Sequence, residues 1–252
     1  MGIVYLVGAG PGAPDLLTLR AAKLLAQADI VFHDALVHPE TLALAERAQK
    51  VAVGKRCGKH STAQRFINKQ LVDAAKRFET VVRLKGGDPM LFGRAQEEIA
   101  SLEAAGIRYE VVPGITAALA AAAEIGTSLT QRGSVRSFAF ATPRVGNGET
   151  PGDWTRALVG ADAGAIYMGV GEAPAIAAAL LDAGKSASLP IAIVENASLP
   201  DTRVVYTTLG GLTTIATNFT GPTLILLGPQ FQARASAGIQ ELVEELSKRA
   251  AG

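Results

Sequence analysis

Short runs of β-branched and aliphatic residues recur along the chain, separated by Ala- and Leu-rich stretches of helical period. Runs that are apolar throughout, rather than at every second residue, belong to strands buried on both faces, so helices must cover both sides of a sheet. This alternation specifies an α/β protein. Candidate strands in the first half are 3–7, 29–33, 50–53, 80–84 and 109–112, and in the second half 137–141, 164–168, 191–195, 203–207 and 223–227. No helix fits between 191–195 and 203–207, so an antiparallel hairpin is expected there and the second half carries a mixed sheet. Asp15 is placed to cap a helix running to about residue 28, and Ser61 or Thr62 one through 76. The segment 94–105 stops at Gly106, and an amphipathic helix is expected over 239–249. Pro113 and Gly114 follow a strand and open a new Ala-rich helix, which divides the chain into an N-terminal domain, 1–113, and a C-terminal domain, 114–252. The stretch 143–153 reads as a surface loop.

Charge and cysteine content exclude several function classes. With 24 Lys and Arg against 23 Asp and Glu, the chain is not a generally basic nucleic-acid binder. A single cysteine, Cys57, permits no internal disulfide and no multi-cysteine metal cluster, and a reducing cytoplasm is the natural compartment. The opening residues lack the pattern of a signal peptide. The longest apolar run, 115–123, is half of the roughly 18 residues that suggest a membrane span, so a soluble protein with no membrane partner is expected. His33 and His38 have no second ligand at a useful spacing, and no metal site is expected. The near-neutral total is an average: residues 55–94 hold ten Lys or Arg against three acids, +7, leaving −6 for the rest.

Three strand exits carry glycine. Gly8, Gly10 and Gly12 flank Pro11 after the first strand, where backbone can approach a ligand beside a helix N-terminus. Asp34 ends the second strand at the place where a dinucleotide fold carries its ribose-binding acid, but the spacing is G-x-G-x-G. A dinucleotide site, another ligand loop and a plain turn all fit that segment. Gly86, Gly87, Asp88 and Pro89 follow the 80–84 strand, with Asp88 either accepting from a ligand or capping a turn. Gly114, Thr116 and Ala117 form the third exit, where Thr116 is a helix cap or a ligand contact. The cations Arg65, Lys69, Lys76 and Arg77 have the spacing of a solvated helix face. Lys55, Arg56, Lys59, His60, Lys85 and Arg94 lie by strand ends and are expected to converge on an anionic substrate.

Taken together, the segments 5–20, 28–34, 53–61, 82–94 and 111–118, with 167–169 and 195–197 in the second half, resemble the tetrapyrrole methylases. The Gly-Lys-Arg-x-Gly-x-His loop at 54–60 is similar to the branch that methylates uroporphyrinogen III. The resemblance implies a two-domain, non-Rossmann methyltransferase, a homodimer in a cytoplasmic setting, with S-adenosyl-L-methionine held in a cleft between the domains and released as S-adenosyl-L-homocysteine. The implied reaction is C-methylation of uroporphyrinogen III at two ring carbons, through precorrin-1 to precorrin-2, for sirohaem or cobalamin biosynthesis. Carried over by position, the cofactor contacts are Pro11, Gly86, Gly87, Asp88, Leu91, Thr116, Ala117, Met168 and Ala197. Asp34 is the implied proton acceptor and Lys55 the proton donor, with Arg56, Lys59, His60 and Arg94 on the substrate. The chain departs from the family pattern at 95–96, Gln131, 140–144 and Ala197. A sibling methylase acting on a later corrin intermediate would share the cofactor loops without needing the 54–60 loop. An NAD-dependent oxidoreductase on the opening glycines would leave the other two exits unexplained, and a binding-only module is the remaining alternative.

Overall fold

The structure, a computed structural model, describes residues 1–53, 61–146, 152–215 and 218–233. The expected helix at 239–249, the basic loop residues 54–60 and part of the 143–153 loop lie outside them. The chain divides into two compact units, Met1–Ala117 and Ala118–Gly252.

Unit 1 is built on a five-stranded sheet in the order β3-β2-β4-β1-β5, from β1 (Ile3–Gly8), β2 (Ile30–His33), β3 (Gln49–Ala52), β4 (Thr80–Lys85) and β5 (Arg108–Val112). Every pairing is parallel, so all five strands present their carboxyl ends along one edge. Alternate side chains go to opposite faces. Val4, Leu6 and Val81 pack with Leu71 of α3 (Ser61–Ala75) and Leu102 of α4 (Ala95–Ala104). Val7, Val82 and Leu84 meet Ala21 and Leu25 of α1 (Leu19–Gln27) on the other face. Complete burial of a side chain such as Leu25 or Leu71 stabilises by roughly 2 kcal/mol. A short α2 (Pro39–Ala43) follows β2, with the His38 ring accepting from Glu40 N–H.

The start of α1 corrects the expectation for Asp15. Pro14–Leu16 forms a separate 3₁₀ turn and the chain then runs extended through Leu17 and Thr18, which carries Asp15 out of reach of the helix. Thr18 is the cap, its hydroxyl accepting from Ala21 N–H at 3.2 Å. Helix α4 likewise begins at Ala95, with Arg94 as a left-handed residue just before it.

Unit 2 holds a mixed sheet in the order β6-β7-β10-β8-β9, from β6 (Phe138–Ala141), β7 (Ala163–Tyr167), β8 (Pro190–Glu195), β9 (Arg203–Thr208) and β10 (Thr223–Leu227). β6 and β7 are parallel, and the remaining neighbours are antiparallel. The expected hairpin is β8 with β9, pairing Glu195 with Arg203. Leu158 of α6 (Trp154–Val159) and Ile176 and Leu180 of α7 (Ala173–Asp182) cover Ile166, Ile191, Ile193 and Ile225. Helix α5 (Ala117–Glu124) opens this unit, with Ala118 N–H donating to the Tyr167 hydroxyl.

Candidate active site

The glycine-bearing exits of β1 and β4 are joined through their backbones, and the exit of β5 is tied to them by a side chain. Gly10 and Gly87 exchange N–H···O=C bonds at 3.2 and 2.7 Å, and Ala9 N–H donates to the Lys85 carbonyl. Asp88 closes the group: one carboxylate oxygen accepts from Met90 N–H at 2.8 Å and the other from Gly114 N–H at 2.9 Å. A Cβ at Gly114 would stand 2.4 Å from the Gly87 carbonyl oxygen, and one at Gly8 2.6 Å from the Gly114 backbone, so neither position admits a side chain. Gly86 and Gly87 are different. A Cβ there would meet nothing closer than 3.6 and 4.0 Å, and Gly87 has φ +66°. Backbone there is uncrowded, since an added Cβ would make only ordinary contacts, and it lies at the carboxyl edge where open α/β sheets bind ligands. Pro11, Leu91, Thr116 and Ala117 sit half-buried around these loops.

Beneath the loops lies a buried ionic chain. Arg83 and Lys85 share the strand face of Val81 and are almost fully buried, as is Glu98 of α4. Arg83 donates from Nε to Glu98 Oε1 at 2.9 Å, from Nη1 to the Leu84 carbonyl at 3.1 Å and from Nη2 to Asp34 Oδ1 at 2.5 Å. Lys85 Nζ and Gln64 Nε2 also donate to Glu98 Oε1, at 3.2 and 3.3 Å. Asp34, whose side chain is 30% exposed, is the end of this chain that meets solvent. Burial works against the Arg83 charge, but Asp34 and Glu98 together raise its affinity for the proton. Burial, reinforced by the Arg83 cation, holds the Lys85 ammonium below the ordinary lysine range despite the pull of Glu98.

This arrangement corrects the expectation for Lys85, whose ammonium is engaged inside the protein rather than free for an anionic substrate. Arg94 is exposed and binds both oxygens of Glu97, at 2.6 and 2.8 Å. Lys69 pairs with Asp73, and Arg77 lies over the Phe78 ring. Charge counted along 55–94 thus overstates the free positive charge among the described residues, because acids from outside that span fold against it. Lys55, Arg56, Lys59 and His60 fall outside the described residues. Sequence reasoning assigned no role to Arg83, Glu98 or Gln64. The available signal was Arg83 itself, a cation on an inward-facing position of an apolar parallel strand, which requires a buried acid as partner.

In unit 2, Met168 at the end of β7 is exposed and left-handed, φ 57°, and Asn196 and Ser198 after β8 have φ 53° and 75°. Non-glycine residues in that region carry backbone strain and concentrate at functional sites. Phe92 and Arg94 in the loop after Asp88 share this conformation, φ 52° and 55°. Ala197 is buried between Asn196 and Ser198. Glu195 anchors this exit by accepting from Thr220 N–H at 2.6 Å and Gly221 N–H at 2.7 Å, with Arg203 Nε 3.1 Å from its other oxygen. The Gly221 amide, helped by those of Thr220 and the Arg203 charge, holds its carboxyl below the usual glutamate range.

The chain belongs to the tetrapyrrole (corrin/porphyrin) methylases, whose family pattern matches residues 3–213 and so takes in the glycine loops and Asp34. The siroheme synthase of Psychrobacter cryohalolentis is 47% identical over 228 residues, 90% of this chain and 44% of its own. The chain therefore spans about half the length of the curated relatives it matches. The native uroporphyrin III C-methyl transferase of Thermus thermophilus is 40% identical, with TM-score 0.82 over 92% of this chain and 100% of that one. The same enzyme complexed with S-adenosyl homocysteine gives 39% identity and TM-score 0.79, with the same coverage. Family membership sets aside the oxidoreductase reading.

Proposed function

We propose that the chain transfers methyl groups from S-adenosyl-L-methionine to two ring carbons of uroporphyrinogen III, giving precorrin-2 by way of precorrin-1. The observation that carries this is the position of Asp34, a partly exposed carboxylate on the same sheet edge as three joined glycine loops. The Thermus enzyme's similarity over its full length supports the substrate. The uncrowded backbone at Gly86 and Gly87 fits a methyl donor, with Pro11, Leu91, Thr116 and Ala117 around it. Met168 and Ala197 are further cofactor contacts that the family resemblance implies. Asp88 serves that site as the clamp that holds two loops together.

When bound, S-adenosyl-L-methionine supplies an electrophilic methyl group: its sulfur–methyl bond breaks as a carbon–carbon bond forms, and the sulfonium becomes a thioether. The chain's own contribution is alignment, for which effective molarities of about 10⁵ M or more are available, and removal of the proton that the macrocycle must lose. Asp34 takes that proton, and Arg83 fixes the carboxylate that receives it. Lys55 as proton donor and Arg56, Lys59, His60 and Arg94 as substrate contacts complete the reading.

We also infer a cytoplasmic homodimer. No helix among the described residues is long and apolar enough to cross a membrane. An open apolar groove of about 580 Å³ in unit 2, lined by Leu119, Leu129, Phe138 and Phe140, supports a contact surface there. The test of function is anaerobic incubation with uroporphyrinogen III and S-adenosyl-L-methionine, with methyl count read by mass. Two added methyl groups are expected, and no gain would favour a later corrin intermediate as substrate. Asp34→Asn should retain S-adenosyl-L-homocysteine affinity by calorimetry while turnover falls about 10²- to 10⁴-fold.

A further inference from the structure

The reading of Asp34 as base leaves Glu98 and Lys85 without a task, although each is a charge removed from water. Such a pair brings little stability for its burial, and an apolar replacement of similar volume often serves as well. Its arrangement is also uneven. Glu98 Oε1 receives Arg83, Lys85 and Gln64, whereas Oε2 is buried without a hydrogen-bond partner. All three donors converge on the oxygen nearest the guanidinium that holds Asp34. Lys85 is in turn roofed by the loop that follows Asp88: a Cβ at Gly93 would stand 3.1 Å from Lys85 Cε.

We propose that the Lys85–Glu98 pair is a positioning device that acts through Arg83 to set how tightly the Asp34 carboxylate is held, and so the pH range in which Asp34 accepts a proton from substrate. This rests on Asp34 being the base. The physical argument is charge order. Asp34, Arg83, Glu98 and Lys85 alternate in sign and sum to zero when all are ionised. Glu98 offsets the Arg83 cation and weakens its grip on Asp34, whereas Lys85 offsets Glu98 and restores that grip. In a site this poorly hydrated, each charge is felt more strongly than it would be in water. Among the described residues, Arg83 and Lys85 of β4 are the cations that act on the Asp34 carboxylate, and His33 of β2 has Nδ1 3.2 Å from the Asp34 carbonyl. Along the helices that carry the rest of the ionic chain, α3 adds the neutral Gln64 and Asn68 and α4 the Arg94–Glu97 pair at its start.

The test is the rate of methyl transfer to uroporphyrinogen III by the full chain across a pH series, for wild type and a set of charge-removing variants. Glu98→Gln should move the acid-side fall in rate to lower pH and Lys85→Met should move it to higher pH, each by roughly half to one pH unit. The double variant, which restores a net charge of zero, should return the profile to that of wild type. A merely structural role would slow both variants without opposite shifts. Profiles that stay put, or that move in the same direction, overturn the inference. If Glu98→Gln does not fold, Lys85→Met, which puts an apolar chain in a buried place, and the double variant decide it. His33→Asn should leave the acid side unchanged, and its loss there would assign that limb to the imidazole and overturn the proposal. Asp34→Asn, run alongside, separates the two failures. If it keeps wild-type turnover, the base reading itself falls. If it is inactive while Glu98→Gln and Lys85→Met leave the profile in place, only the positioning role falls.

Discussion

The two units fix the shape of their strand exits by opposite means. In unit 1 the exits of β1 and β4 hold each other through backbone bonds, the Asp88 carboxylate ties in the exit of β5, and the buried charge lies beneath them in Arg83, Lys85 and Glu98. In unit 2 the exits of β7 and β8 carry non-glycine residues in the left-handed region, Met168, Asn196 and Ser198. Among the described residues its one buried charged residue, Glu195, is itself the anchor. A parallel sheet with helices on both faces has interior room for ions that never meet solvent. A hairpin with one strand at the sheet's edge has little, and its acid binds neighbouring amides instead.

The contrast can be broken by removing one support at a time. The largest effect should follow Arg83→Met, which leaves Glu98 without its principal partner and should cost about 3 kcal/mol or more in urea unfolding. Gly114→Ala comes next, because its Cβ must displace the Gly87 carbonyl. It should cost about 1–3 kcal/mol and weaken S-adenosyl-L-homocysteine binding by calorimetry. The smallest effect should come from Glu195→Gln, which keeps an acceptor for the amides of residues 220 and 221 and should cost under about 1 kcal/mol near neutral pH. Its pH dependence is specific. The folded carboxyl lies below the ordinary value of 4.5, so the contribution of its charge is complete above that value and is lost as pH falls through the folded one. Stability curves for wild type and Glu195→Gln should therefore converge on acidification. A Glu195→Gln loss as large as that of Arg83→Met would erase the distinction between the units.

All ten strands were legible to within a residue at either end because apolar runs bounded by Gly, Pro and polar residues leave few alternatives. The start of α1 was not. Asp15 and Thr18 are both good caps in isolation, and the 3₁₀ turn at Pro14–Leu16 decides between them. In the site, glycine spacing pointed to three exits, but no local pattern says that Gly10 pairs with Gly87 or that Asp88 reaches Gly114. Those bonds depend on the strand order β4-β1-β5, a property of the whole sheet. The ionic chain was hidden for a related reason. Asp34, Arg83 and Glu98 are 49 and 15 residues apart, so a tally along the chain counted the cations of 55–94 and missed the acids that meet them.

The junction at which Gly8 and Gly114 press against neighbouring backbone has a consequence for redesign. Where backbone fills the space, substitution has no gradual path, so any change there is a loss rather than an adjustment. Variation in what the site accepts must then be written in the side chains that ring the junction, of which Leu36, Met90 and Phe92 already stand exposed. A library confined to those positions would alter the rim while leaving the frame intact.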